Sequence, residues 1–432
     1  MKKYLKIIPA AIIAAGLSGC VSHQIDIGDI FSRNNTGDVQ TFTQLTENNE
    51  PVKAVYSVDE IAGSGNFNAA FLKEVAKQND NFVISPLSVK LALNMAAAGA
   101  GENSDTEREL LTLFGYEAYE DMISESQSLI SELDRKDGSI TVNNSVWMSD
   151  NKDDVKFSDD YIGNTSDIFN AELFKKDLSD KKIVKELNGW IDKKTNGLIP
   201  KMISQPFGAD TRMLLVNTLY FNNKWQYEFD PNDTGDITFH GTNGDTKALG
   251  MSLTGGRLLY SEGEALRSVS LAYTDGSCMN IYLPSDESKN IGDVIANMTP
   301  GKLADALNMD YSEQKVDLLL PRFECEYNES LRYTLMLLGI SSAFDRNKAD
   351  FSRMLDAESK YPVYISDVIH ASKIKCGEKG TEAAAATIVT VDGAGSMMPE
   401  EEPIYFLANR PFLYEIKSAG GETLFMGIIS NL

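Results

Sequence analysis

Histidine is the scarcest reactive side chain here: His23, His240 and His370 are spread over 432 residues. Cysteine is nearly as rare, with Cys20, Cys278, Cys325 and Cys376 and no C-x-x-C spacing. A zinc site draws several such ligands from short, regular intervals, so a Cys/His metal centre is improbable and no cofactor is expected. Beyond Cys20 the cysteine count is odd, so at least one thiol is free or paired to another molecule. The chain also lacks Gly-x-Ser-x-Gly, His-Glu-x-x-His and a phosphate-binding loop. His370, alone in an apolar stretch, makes a poor triad member, so a hydrolytic enzyme is disfavoured. Positive charge is short too: 40 Lys and Arg against 63 Asp and Glu leave −23. Such a surface repels phosphate backbones and anionic lipid, which argues against nucleic acid or bare membrane as a partner. Otherwise it chiefly keeps a protein soluble.

The one cationic cluster is N-terminal. Lys2, Lys3 and Lys6 precede a short apolar run over 7–17, then Leu17-Ser18-Gly19-Cys20. A positive start, a short apolar core and a small-residue end make a secretory signal. The run is too short for a stable membrane span. The L-S-G-C ending resembles the lipobox of bacterial lipoproteins. That resemblance implies a lipid on Cys20 as first mature residue, and residence in the cell envelope at the outer membrane, held only by the lipid. Losing residues 1–19 removes three lysines and takes the charge from −23 to −26. Residues 20–57 then read as a polar tether rich in Asn, Thr, Asp and Gln. With no repeat and no second linker, 58–432 reads as one domain. Its composition, 42% hydrophobic and 24% charged, suits a soluble protein with a sizeable core.

Hydrophobic spacing places helices at 67–75, 85–98, 183–194 and 331–338. Ser85-Pro86 is a helix start and Thr195-Asn196-Gly197 a stop. The nearly unbroken apolar run 213–221 predicts a buried strand. Runs 269–273 and 279–283 flank Asp275-Gly276 as a hairpin, and 411–416 with 423–429 flank Gly420-Gly421 as another. Further strands are expected at 316–323 and 363–374. Helices and strands mix without regular β-α-β alternation, so the fold class is α+β.

Five separated segments resemble the serpin family, in the family's order. They are N-F-V-I-S-P-L-S at 81–88, L-N-G-W-I-D-K-K-T-N-G-L-I at 187–199, and L-V-N-T-L-Y-F-N-N-K-W-Q-Y-E-F at 215–229. The fourth is L-P-R-F-E-C-E-Y at 320–327, running on to L-G-I-S-S-A-F and A-D-F-S. The fifth is E-K-G-T-E-A-A-A-A-T at 378–387, with N-R-P-F-L-Y-E-I and L-F-M-G-I-I beyond. The resemblance implies one α+β domain with three β-sheets, eight to nine helices and an exposed reactive-centre loop. It assigns Ser85, Ser88, Asn217 and His370 to the "shutter", where the central sheet must part, and Trp225 to the "breach", where the loop first inserts. The hinge falls on Glu378, Gly380, Thr381, Glu382, Ala383, Ala384, Ala385, Ala386 and Thr387. Two departures stand out: Asn223 where the family often has glycine, and Cys376-Gly377 before the hinge where an acidic or amide residue is common. The family's strand order makes Cys325 and Cys376 neighbours, so a disulfide between them is conceivable.

Read as a strand, 381–392 puts Thr381, Ala383, Ala385, Thr387, Val389 and Val391 on one face, all small or apolar. Glu382, Ala384, Ala386, Ile388, Thr390 and Asp392 form a mixed face. That is the pattern of a strand held in reserve, and the resemblance implies a single-use trap that inserts its cut loop into the central sheet. Counting from the hinge places the scissile bond at Ala394-Gly395, the preferred choice; counting back from Phe406 places it at Met397-Met398. Both offer an unbranched or small apolar residue, suiting an elastase-like serine protease of a host or competitor, and no Lys or Arg lies between Gly380 and Glu402 to suit a trypsin-like one. Glu400-Glu401-Glu402 reads as a solvated turn or as a contact for a basic protease. A monomer is expected. The rival reading is a non-inhibitory relative acting as a binding or structural module, which typically carries bulky or charged hinge residues.

Overall fold

The computed structural model describes residues 52–133, 139–150, 155–359, 362–381 and 402–432. The N-terminal half is mainly helical: α1 (Ser64–Ala76), β1 (Phe82–Ile84), α2 (Pro86–Gly99), α3 (Asp105–Phe114), α4 (Tyr119–Leu133), β2 (Ile140–Ser149), α5 (Asp159–Phe169), β3 (Ala171–Lys176) and α6 (Lys182–Lys194). Local chemistry sets these ends. The Ser85, Ser104 and Ser158 hydroxyls accept from the backbone N–H groups of Ser88, Glu107 and Tyr161 and so cap α2, α3 and α5. Pro86 opens α2 as the sequence indicated. Beyond α6 the chain turns through Asn196 and Gly197, both at positive φ.

Strands dominate afterwards: β4 (Met213–Phe221), β5 (Asn223–Lys224), β6 (Thr234–Gly241), β7 (Gly244–Glu262), β8 (Leu266–Ala272) and β9 (Cys278–Pro284). Two short helices, α7 (Ile291–Ala296) and α8 (Pro300–Leu307), precede β10 (Ser312–Pro321), β11 (Phe323–Ser330) and α9 (Arg332–Leu337). The chain then forms β12 (Ile365–Gly377), β13 (Gly380–Thr381), β14 (Ile404–Leu407), β15 (Phe412–Lys417) and β16 (Thr423–Ile429). The helices and strands intermix as α+β, with nine α-helices among the described residues.

Two hydrogen-bonded networks hold the strands. One has seven, ordered β3-β2-β4-β12-β13-β5 with β11 also on β12; the other has nine, ordered β1-β16-β15-β9-β8-β7-β10-β14 with β6 on β7. The 19-residue β7 accounts for the second network, pairing β6 at its start and β8 at its end. It thereby joins strands that would otherwise fall into separate sheets. The strand expected over 316–323 divides at Arg322. Its first part, β10, stays in the nine-stranded network, and β11 crosses to the seven-stranded one. Pro321 has no N–H to continue a ladder, and the Arg322 N–H turns aside to Leu249 O. The run Leu318-Leu319-Leu320-Pro321 carries no turn signal that marks the change of sheet.

The expected run 213–221 is β4, buried at every position. Met213, Leu215, Leu219 and Phe221 join the main core, while Leu214 and Val216 join a second cluster with Trp190 and Ile191 of α6. Burial on both faces is why the run lacks alternation. Cys325 and Cys376 are free thiols, so the disulfide is not formed. Cys325 stands opposite Ile374, and Cys376 opposite Phe323. The two are therefore diagonal neighbours, roughly 7–8 Å apart, beyond the usual Cα reach of a disulfide. Burial pushes the Cys325 thiol up to about 12 despite hydrogen bonds with Glu326 and Tyr414.

Candidate functional site

At the centre of the seven-stranded sheet β4 and β12 run parallel, paired from Met213 opposite Ile365 to Thr218 opposite Ala371, with one shift of register at Ser366, after which Leu214 stands opposite Asp367. Beyond that point they separate: the last three residues of β4 and the last six of β12 do not pair with each other. The sheet thus has a closed lower seam and an upper end where β4 and β12 part.

Polar side chains line the seam. Asn217 stands opposite His370 on one side and Asn144 on the other, making a row across β2, β4 and β12. The Asn217 amide donates to Asn144 Oδ1, and Asn144 Nδ2 donates to Phe169 O at 3.1 Å. His370 is buried between Phe71 and Tyr327. Its Nε2 accepts the Ser85 backbone N–H at 3.1 Å and meets Ser372 Oγ at 2.8 Å, which assigns the ring proton to Nδ1. Burial lowers the His370 pKa to about 3, so the ring is neutral. Asn217 Oδ1, His370 Nδ1 and Ser88 Oγ find no protein partner among the described residues. The four residues singled out as the shutter are thus brought together, although Asn217 bonds to Asn144 and not to His370. Lower on β12, burial raises Asp367 to about 6, opposed by hydrogen bonds from Ser330 and Val368 and by the Arg332 charge.

The hinge begins where the sheet opens. After Gly377 the chain turns back, and β13 pairs antiparallel with β12 on one side and β5 on the other. Gly380 has φ +143, and a Cβ there would lie 2.1 Å from Asn223 O, so glycine is required by both backbone and space. Thr381 is buried, 1% exposed, and its hydroxyl meets Tyr273 OH at 2.5 Å. Trp225 stacks on Tyr273 at 4.4 Å and donates its indole N–H to Gly377 O at 2.8 Å. Trp225 and Phe229 also donate backbone N–H groups to Lys379 O and Glu378 O. Asn223, unexpected at its place, uses Oδ1 to accept from Thr274 Oγ1 and Lys224 N, both at 2.9 Å.

Glu378 is gripped by Arg322, whose Nε donates at 2.7 Å, and by Thr234 Oγ1 at 2.8 Å. Burial pushes its pKa up, but the Arg322, backbone and Thr234 hydrogen bonds outweigh this and leave it below the usual range. Sequence reasoning missed Asn144, Tyr273, Arg322 and Ser372. Asn144 had a signal, since Asn143-Asn144-Ser145 interrupts an otherwise apolar strand. The hinge residues from 382 to 387, both candidate scissile bonds and Cys20 lie outside the described residues.

Residues 62–432 match the model of the family described as Serpin (serine protease inhibitor). Leukocyte elastase inhibitor A of Mus musculus is 30% identical over 366 residues, covering 81% of this chain and 93% of that protein. A serpin-like protein of Thermococcus kodakarensis is 31% identical over 366 residues, 83% of this chain and 82% of its own. Among solved structures, the thermophilic serpin tengpin in its native state superposes with TM-score 0.76 at 26% identity, over 89% of this chain and 98% of that one. The chain belongs to the serpin family.

Proposed function

We propose that this protein is a single-use inhibitor of serine proteases with elastase-like preference, trapping the acyl-enzyme by inserting its cut loop between β4 and β12. The observation that carries the reading is β13: the first two residues of the loop's stem already form a strand antiparallel to β12, where β12 and β4 part. Two parallel neighbours accept an antiparallel strand between them once their mutual bonds are exchanged. The pairs Cys376–Thr381 and Gly377–Gly380 set the register. Continued down β12, it would bring Ala383 to Ile374, Ala385 to Ser372, Thr387 to His370 and Val389 to Val368, and would reach the start of β12 with Asp392 opposite Ile365. Ile374 and Val368 belong to the main core, so the uncharged face of the loop would turn inward.

This register ends two residues before Ala394-Gly395 and five before Met397-Met398, which favours Ala394 as the residue that acylates the protease. The inserted strand would be about 40 Å long at roughly 3.3 Å per residue. About a dozen new backbone hydrogen bonds at roughly 1 kcal/mol net each are comparable to a protease's stability of about 5–15 kcal/mol. Dragging and distorting the bound enzyme is therefore energetically feasible. The similarity to leukocyte elastase inhibitors supports the choice of target class. We propose further that the chain is exported, lipidated at Cys20 and monomeric. Mixing the protein with pancreatic or neutrophil elastase should give a covalent complex that survives a denaturing gel. Clean loop cleavage by every serine protease tried, with no complex, would refute the proposal.

A further inference from the structure

We infer that Lys53-Ala54 is a processing site, where a trypsin-like protease separates the folded domain from the segment that carries Cys20. Its meaning as release from a membrane rests on the lipid anchor proposed above; the cut itself does not. Arg33 and Lys53 are the only Lys or Arg from Cys20 to Leu72. No Asp or Glu lies within two residues of Lys53, and alanine follows it, so neither a carboxylate nor a proline obstructs a pocket that takes a positive side chain. Lys53, Ala54 and Val55 are exposed and belong to no helix or strand. Among the described residues no backbone hydrogen bond involves Lys53 or Ala54. Exposed backbone of this kind, next to a chain terminus, is where nicking concentrates. Lys289 and Lys348 are exposed in loops as well, but their N–H groups close turns on Asp286 O at 3.0 Å and Asp345 O at 3.1 Å.

The domain's own contacts begin just past this bond. Val55 and Tyr56 donate their N–H groups to Leu337 O at 2.8 and 3.2 Å. Gly339, at φ +93, would bring a Cβ within 2.8 Å of Tyr56 O, so the chain is seated closely on the turn after α9. Ser57 donates to Glu60 Oε2 through both its N–H and its hydroxyl, and Ile61 is the first residue of the main core. Water added across the Lys53–Ala54 amide, leaving a carboxylate on Lys53 and an amine on Ala54, therefore keeps every one of these contacts in the domain. The cut is also remote from the hinge. Leu331 N–H donates to Val368 O, which fixes α9 to the early part of β12. The hinge pairs with Cys376 and Gly377, eight residues on from Val368 or about 26 Å at roughly 3.3 Å per residue. With no Lys or Arg between Gly380 and Glu402, the same protease finds no bait in the loop.

The test expresses the full chain in a bacterial host as wild type, Lys53→Gln and Arg33→Gln. Membrane and soluble fractions are each treated with limiting trypsin, and the large fragment is sequenced from its N-terminus. Wild type and Arg33→Gln should yield a fragment that begins at Ala54 and melts with the uncut protein. From membranes this fragment should pass into the supernatant. Lys53→Gln should yield it at least about tenfold more slowly, because the pocket that takes lysine gains nothing from a neutral side chain. A first cut within residues 62–432, no Ala54 terminus, or a Lys53→Gln rate within twofold of wild type would overturn the site. An Ala54 fragment with a lowered melting temperature would overturn it as well. A chain that is soluble before trypsin is added refutes the lipid anchor alone, because the Ala54 terminus and its loss in Lys53→Gln are read from either fraction.

Discussion

Thr381→Arg puts the proposed mechanism under the most strain. In the wild type this side chain is 1% exposed, hydrogen bonded to Tyr273 and held between β12 and β5. Losing that hydroxyl pair costs about 1–1.5 kcal/mol. Burying an unpaired guanidinium costs several kcal/mol more. The arginine will therefore leave the sheet and take β13 with it. Returning it during insertion then opposes the trap at its first step by more than about 3 kcal/mol, over a hundredfold in the partition between trapping and release. The fold survives, because β13 is only two residues and the β4–β12 seam lies elsewhere. The assay titrates protease with inhibitor and resolves products on a denaturing gel. Thr381→Arg should be cleaved at the wild-type rate, with the complex band largely replaced by cut protein. A stoichiometry within twofold of wild type would show that residue 381 does not have to insert.

Three further outcomes are expected. His370 and Asp367 have opposite pH linkages. The His370 pKa falls from 6.5 to about 3 on folding, so its contribution is present above 6.5 and lost as pH falls toward 3. Asp367 rises from 3.8 to about 6, so its contribution is full below 3.8 and lost as pH rises through 6. The two slopes, each about 1.4 kcal/mol per pH unit, offset one another between about pH 6 and 4. Denaturant unfolding of Asp367→Asn should then show stability falling steeply with acid across that window, more steeply than wild type; parallel curves would contradict the assignment. Gly380→Ala forces a Cβ within 2.1 Å of Asn223 O at φ +143, and should lower the melting temperature by an amount equivalent to about 1–3 kcal/mol; an unchanged melting curve contradicts the close approach. Cys20→Ser should abolish metabolic labelling by a clickable fatty acid in a bacterial host, and a wild type that takes up no label would refute lipidation.

Much of the architecture was legible where one residue type had one reason. The nearly unbroken apolar run 213–221 read as a buried strand, and its ends match β4. Ser85-Pro86 and Asn196-Gly197 mark helix ends by chemistry that needs no tertiary contact. The Asp275-Gly276 turn pinned the β8–β9 pair in the same way. Long-range decisions were not legible. Nothing local to Arg322 says that it changes sheet and clasps Glu378, 56 residues away. The Cys325–Cys376 separation depends on a two-residue offset between strands that neighbourhood alone does not reveal. Asn144 pairs with Asn217 across 73 residues, so its part in the seam appears only once β2 and β4 are in register. The hinge was read by its face pattern, but that Thr381 is already seated beside Tyr273 follows from packing.

The structure of the loop-cleaved protein tests the central claim most directly. The account predicts that β4 and β12 are no longer neighbours, that a new strand lies antiparallel between them, and that Thr387 stands opposite His370 and Asp392 opposite Ile365. A cleaved protein whose β4–β12 register still runs from Met213–Ile365 to Thr218–Ala371, with the cut segment outside the sheet, would contradict it.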